Sequence, residues 1–141
     1  MEIDPWASKG IKNYDEICEK FGLEKIDSSK LPNPTHLHRR GIIFAHRDLD
    51  SVLNARKSGN SFGVLSGLMP SGQMHLGHKM VIDQAKWFQD LGGDVTIAVA
   101  DLEAHATRGL SLEKCRKYAV EEYISNYCLL YTSDAADETT G

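Results

Sequence analysis

Apolar positions change their spacing several times along this chain, and each change marks an element. In the first third, Tyr14, Ile17, Cys18 and Phe21 recur at helical spacing. Asn13 or Asp15 precedes them as a cap, and Gly22 follows as a stop. Pro32 and Pro34 then mark a turn or extended connection. The triplet Ile42-Ile43-Phe44 predicts a short strand or the buried edge of a helical turn. Asp48 is placed to cap a helix through Leu49, Val52, Leu53 and Ala55, which Ser58-Gly59-Asn60 ends. A short, partly β-branched run bounded by glycine predicts a buried strand over 61–66. After a loop over 67–74, Met80, Ile82, Trp87, Phe88 and Leu91 predict a helix over 75–91. The near-continuous apolar run 95–100 predicts a parallel strand covered on both faces. A loop over 101–110 and a helix over 111–127, begun by Ser111, follow. No internal repeat or low-complexity tract interrupts the pattern.

The order strand, helix, strand, helix predicts an α/β fold, the first half of a Rossmann-like parallel-sheet domain. A helical extension is expected over 1–34, the α/β part over 35–127, and a separate tail over 128–141. Open parallel sheets bind ligands beyond the C-terminal ends of their strands. Here those ends are Ser66-Gly67-Leu68-Met69 and Asp101-Leu102-Glu103, so both fall on one rim.

The stretch Pro70-Ser71-Gly72-Gln73-Met74-His75-Leu76-Gly77-His78 joins the first strand to its helix. A tight turn that delivers a helix N-terminus to a sheet rim suits a phosphate, through free N–H groups and the helix dipole. Gly67 and Gly72 tighten the turn and Pro70 sets its direction. Gly77 leaves room for a flat ring against the backbone. His75 and His78, one turn apart, can each donate to a phosphate oxygen. This group suits an α-phosphate under attack, where charge grows on its oxygens. The alternative is a histidine pair that only caps and packs the helix start. Zinc is a further alternative, with only Asp83 near enough to help. On the second strand's rim, Asp101 and Glu103 suit an ammonium group, or else cap a helix or loop. His105, Thr107 and Arg108 share that loop. Lys79 either faces the phosphates or is a solvated charge, while Trp87 and Phe88 read as core. Arg39, Arg40 and Arg47 suit phosphates, a solvated face or internal ion pairs.

Composition narrows this little. With 141 residues, 41% apolar and 26% charged, the chain has an ordinary globular makeup. It has no apolar run of the roughly 18 residues that span a membrane. The first residues show no basic and apolar leader, so the cytoplasm is the expected compartment. Cys18, Cys115 and Cys128 form neither a disulfide framework nor a zinc pattern. The run from Cys128 to Glu138 resembles a translated adapter from DNA library preparation. The natural protein is therefore expected to be longer. That tail holds Asp134, Asp137 and Glu138 and no base, so the rest of the chain is closer to neutral than the net −4. Overall charge is thus silent on a nucleic-acid partner.

Pro70-Ser71-Gly72 with His75-Leu76-Gly77-His78 resembles the HIGH signature of class I aminoacyl-tRNA synthetases. More of the chain resembles the archaeal and eukaryotic tryptophanyl type. The matching blocks are Asp4-Pro5-Trp6 with Phe21-Gly22 and Lys25-Ile26-Asp27, then Arg39-Arg40-Gly41-Ile42 with His46-Arg47-Asp48. Gly67-Leu68-Met69 through Lys79-Met80 and Val99 through Ala104 complete them, so the likeness covers nearly everything up to Tyr127. The resemblance implies a HUP-type nucleotide fold. It implies activation of tryptophan by ATP with Mg²⁺, then transfer to tRNA(Trp), by a protein that is a homodimer at full length. Gly67, Pro70, Ser71, Gly72, His75, Gly77 and His78 take the place of the ATP-binding motif, and His75 and His78 that of its catalytic pair. Glu103 takes the place of an acid that holds the substrate amino group. Leu65 stands where some members offer the substrate an aromatic hydroxyl. The family's lysine-rich KMSKS loop and helical anticodon-binding domain do not occur in these 141 residues, so the chain alone is expected to be inactive. A tyrosine-specific relative, a small nucleotidyltransferase with the same histidine motif, and a non-catalytic synthetase-like module are the alternatives.

Overall fold

Asn13 starts the first helix, α1 (Tyr14–Phe21): its extended backbone lets Oδ1 accept from the N–H groups of Asp15 (3.1 Å) and Glu16 (3.4 Å). Gly22 ends it at φ 60°, a left-handed conformation that favours glycine. Only Ile17 and Cys18 of its apolar face are buried. Tyr14 instead packs edge-on against Phe44, centroids 4.6 Å apart. The computed structural model describes residues 13–131. The Asp4-Pro5-Trp6 match and the tail from Thr132 onward lie outside them.

A two-residue ribbon follows, β1 (Glu24–Lys25) antiparallel to β2 (Ala45–His46), with the short helix α2 (His36–Arg39) between. The expected strand at 42–44 is displaced: Ile42 is exposed, and pairing begins where Ile26 N–H reaches Phe44 O at 2.9 Å. Helix α3 (Leu49–Lys57) forms as expected, but Asp48 does not cap it in the usual extended form. Its φ is 60°, and its carboxylate takes the Ser51 hydroxyl at 2.5 Å. The His46 ring accepts the Leu49 N–H instead, at 3.2 Å. The chain divides into two compact units between Val52 and Leu53. Residues 35–52 fall within the first unit.

The second unit holds the parallel pair. Strand β3 (Gly63–Leu68) runs beside β4 (Asp94–Val99) in register from Gly63 opposite Asp94 to Leu68 opposite Val99. Helix α4 (Leu76–Asp90) connects them, as a parallel crossover requires. Both strands alternate: Val64, Ser66, Leu68, Val95, Ile97 and Val99 turn inward, whereas Leu65, Thr96 and Ala98 lie exposed. Among the described residues the expected second cover of this sheet is therefore absent, and Leu65 is 76% exposed. Gly67 is needed where the strands approach, since a Cβ there would stand 2.9 Å from the Ala98 carbonyl oxygen.

The expected loop at 101–110 is a helix, α5 (Asp101–Arg108), stopped by Gly109 at φ 64°. Next, α6 (Leu112–Tyr118) is capped by the Ser111 hydroxyl on Lys114 N–H (3.2 Å). It passes into a π-helical turn at Ala119–Ile124 and on into α7 (Ser125–Tyr131). The backbone is thus helical beyond Cys128, where the sequence pattern stops making sense. Ile82 of α4 packs with Tyr123 and Tyr127, and Leu68, Met74, Ile97 and Val99 close around them. Burying a side chain such as Ile82, at 1% exposure, contributes about 1.5–3 kcal/mol. Trp87 is buried, edge-on to Phe88, as its spacing predicts.

Candidate functional site

The turn leaving β3 sets the site. Pro70 is fully buried, and Ser71 N–H folds back on Met69 O at 2.8 Å. The chain then extends through His75 (φ −143°, ψ 174°), which is the N-cap of α4. A cap needs a side-chain acceptor, and here it is an imidazole: His75 Nδ1 accepts the Gly77 N–H at 3.2 Å. His78 returns the favour, its Nδ1 accepting the His75 N–H at 3.1 Å. This is the reciprocal logic of a capping box, with two rings where a hydroxyl and a carboxylate usually serve. The rings lie 3.9 Å apart between centroids, tilted by 39°. Gly77 permits this, because a Cβ there would meet the His75 ring at 3.0–3.1 Å.

The capping bonds decide the protonation of both rings. Each Nδ1 faces an N–H donor, so each must be an acceptor, and the neutral ring then carries its hydrogen on Nε2. His78 Nε2 lies 3.4 Å from the Tyr123 hydroxyl, the outer edge of hydrogen-bond range, with the rings edge-on at 5.4 Å. Burial, then the neighbouring His75, hold the His78 imidazolium below the ordinary histidine range. Burial pushes the Tyr123 phenol up, and the nearby Ser71 backbone partly opposes it.

One expectation needs correction. The N–H groups of Gly77, His78 and Lys79 are not free for an anion, since Gly77 bonds the His75 ring and the other two reach His75 O at 2.9 and 3.3 Å. The His75 Nε2–H, the first helical N–H at Leu76 and the helix dipole are what this turn offers a phosphate, with the His78 Nε2–H shared with Tyr123. Lys79 is held by Asp83 at 2.6 Å. Gly67 lies in β3, Pro70, Ser71 and Gly72 in the connection, His75 at the cap, and Gly77 and His78 in the first turn of α4.

Glu103 and Leu65 stand apart from it. Among the described residues neither has a hydrogen bond or ion pair to the histidines. Glu103 is exposed on the first turn of α5, beyond the end of β4, and its carboxylate has no ion pair among the described residues. Asp101 is engaged instead by Arg116 Nε (3.1 Å) and the Leu102 N–H (2.8 Å). His105 Nδ1 meets Leu110 O at 2.6 Å, and Thr107 donates to Glu103 O at 2.7 Å. Arg39 and Arg47 donate to the carbonyls of Pro34 and Phe21 within the first unit. Tyr123 is the site residue the motif reading missed. Its signal is the four-residue spacing of Cys115, Ala119, Tyr123 and Tyr127. Among the described residues no group of three His, Cys, Asp or Glu could hold a metal ion.

A parallel strand pair with a Pro-Ser-Gly turn onto a histidine-capped helix defines the class. Residues 57–132, more than half of the chain, match the family of tRNA synthetases class I (W and Y), and the chain belongs to that family. It is 43% identical to the tryptophan–tRNA ligase of Methanosarcina acetivorans over 125 residues, which cover 87% of this chain and 29% of that protein. It is 47% identical to the enzyme of Thermoplasma acidophilum, with 89% and 29% covered. The crystal structure of tryptophanyl-tRNA synthetase from Aeropyrum pernix superposes with a TM-score of 0.76 at 44% identity, covering 91% of this chain and 36% of that one. The Plasmodium falciparum enzyme gives 0.74 at 31% identity, with 84% and 35% covered. The chain spans about a third of the length of the curated relatives it matches.

Proposed function

We propose that this chain is the nucleotide-binding part of a tryptophan–tRNA ligase. That enzyme activates tryptophan with ATP and passes the activated acyl group to tRNA(Trp) in the cytoplasm. The observation that carries the reading is the imidazole pair, locked by its own capping bonds, with the His75 Nε2–H left to donate and the His78 Nε2–H shared with the Tyr123 hydroxyl. In the reaction the tryptophan carboxylate attacks the α-phosphorus and pyrophosphate leaves. Neutral imidazole donors near the phosphates stabilise charge growing on their oxygens without moving a proton, and one such donor is worth roughly 3 kcal/mol of barrier. Magnesium belongs to this reading only as the ion carried on the phosphates of ATP. Glu103 is the carboxylate proposed for the substrate ammonium group. Leu65 supplies no hydroxyl for the indole, so its contact is apolar. Association into a homodimer is proposed for the longer protein.

His75→Asn tests the pair. Asparagine is a strong N-cap and keeps an acceptor for Gly77 N–H, but it lacks the Nε2 donor. ATP titrated into the 141-residue chain by calorimetry is expected to bind His75→Asn about tenfold more weakly or worse, with an unchanged unfolding midpoint. Equal affinity in wild type and variant would remove the nucleotide reading. ATP–pyrophosphate exchange by the unmodified chain is expected to stay at background, and robust turnover contradicts that.

A further inference from the structure

We propose that Tyr123 is a positioning residue that holds the His78 ring in its donor state, and that the π-helical turn exists to bring it there. This inference rests on the nucleotide reading for its consequence, though not for its geometry. The buried positions of the last helical stretch are Cys115, Ala119, Tyr123 and Tyr127, four residues apart. In a regular α-helix each four-residue step drifts by about 40°, so such a stripe wanders off its face. The π-helical turn at Ala119–Ile124 is wider and cancels that drift. It keeps Tyr123 on the face that packs against Ile82 of α4, one helical turn beyond His78.

The tyrosine then touches both halves of the site. Its hydroxyl lies 3.4 Å from His78 Nε2 and close to the Ser71 backbone. Because His78 Nδ1 is occupied by the His75 N–H, Nε2 bears the ring hydrogen and the tyrosine oxygen is its acceptor. One side chain, 1% exposed, thereby couples the Pro70–Gly72 turn, the His78 tautomer and the sheet core. A phenylalanine would fill the same core volume and make none of the polar contacts. The titratable groups around this pair are His75, beside His78, and Glu122, beside Tyr123.

Tyr123→Phe is the test, with the cooperative melt as a check that the core survives. Nitrogen-15 NMR of the histidine rings in the 141-residue chain reads the tautomer directly. In the variant, the His78 Nε2–H signal is expected to lose its hydrogen-bond shift. His78 is expected to titrate lower, because a lost acceptor penalises imidazolium more than imidazole. ATP affinity is expected to fall about fivefold. In a His78→Asn background, which keeps the Nδ1-like acceptor, adding Tyr123→Phe is expected to change affinity no further. A structural role alone gives the same loss in both backgrounds and overturns the proposal, as does an unaltered His78 titration. Should the wild-type chain bind no ATP, the nucleotide reading fails, while the NMR comparison still decides the role of Tyr123.

Discussion

Gly77→Ala separates the two jobs of the histidine turn. The added Cβ would stand 3.0 Å from His75 Cε1 and 3.1 Å from Nδ1. The His75 ring is exposed and has space to swing out, so it yields before the backbone does. Swinging out breaks the 3.2 Å bond to the residue 77 N–H and the 3.9 Å contact with the His78 ring. Losing a cap costs about 0.5–2 kcal/mol. Replacing glycine by alanine within a helix returns about 0.5–1 kcal/mol. The two nearly cancel, so the urea midpoint is expected to move by less than the equivalent of about 1 kcal/mol. Binding has no such compensation. A displaced donor to a charged phosphate is worth about 1.5–3 kcal/mol, so ATP affinity is expected to fall about tenfold or more. Calorimetric titration beside urea unfolding measures both quantities on one sample. Wild-type affinity in Gly77→Ala would refute the reasoning, since the ring would then be shown not to act from this position.

Two further outcomes follow from packing and titration. Burial holds His78 and His38 below the ordinary histidine range, so the unfolded chain takes up protons that the folded chain refuses. Stability is therefore complete above roughly pH 6.5 and falls as pH drops from there toward the lowered folded values. Urea midpoints across that window check the sign, and His78→Asn should make the slope shallower; a flat profile in the wild type would contradict the burial argument. Gly67→Val drives a Cβ to within 2.9 Å of the Ala98 carbonyl and should cost about 1–3 kcal/mol by prying β3 from β4. An unshifted midpoint would show that the strands have slack there.

The sequence made the order of elements legible because each long segment carried its own period. Asn13, Gly22 and Ser111 signalled their helix ends, since capping chemistry is local. The α5 helix escaped notice because eight residues that bury only Ala104 leave almost no apolar period to read, although Gly109 marks its end. Asp48 misled because a capping residue type says nothing about φ, and the His46 ring took the donor first. The apolar β4 run predicted cover on both faces, yet composition cannot reveal how many layers lie within a given stretch of chain. The site was legible as residues but not as bonds. The motif placed two histidines together; that they would fasten each other, take the Gly77 N–H and lean on Tyr123 depended on geometry.

That mutual fastening has a chemical corollary. Each ring holds the helix start with its inner nitrogen, so a proton arriving there would unlatch the turn. Traffic of hydrogen ions through this corner is consequently at odds with its architecture. The transformations it suits are those in which a group changes hands while both imidazoles stay electrically neutral, as fixed dipoles from start to finish.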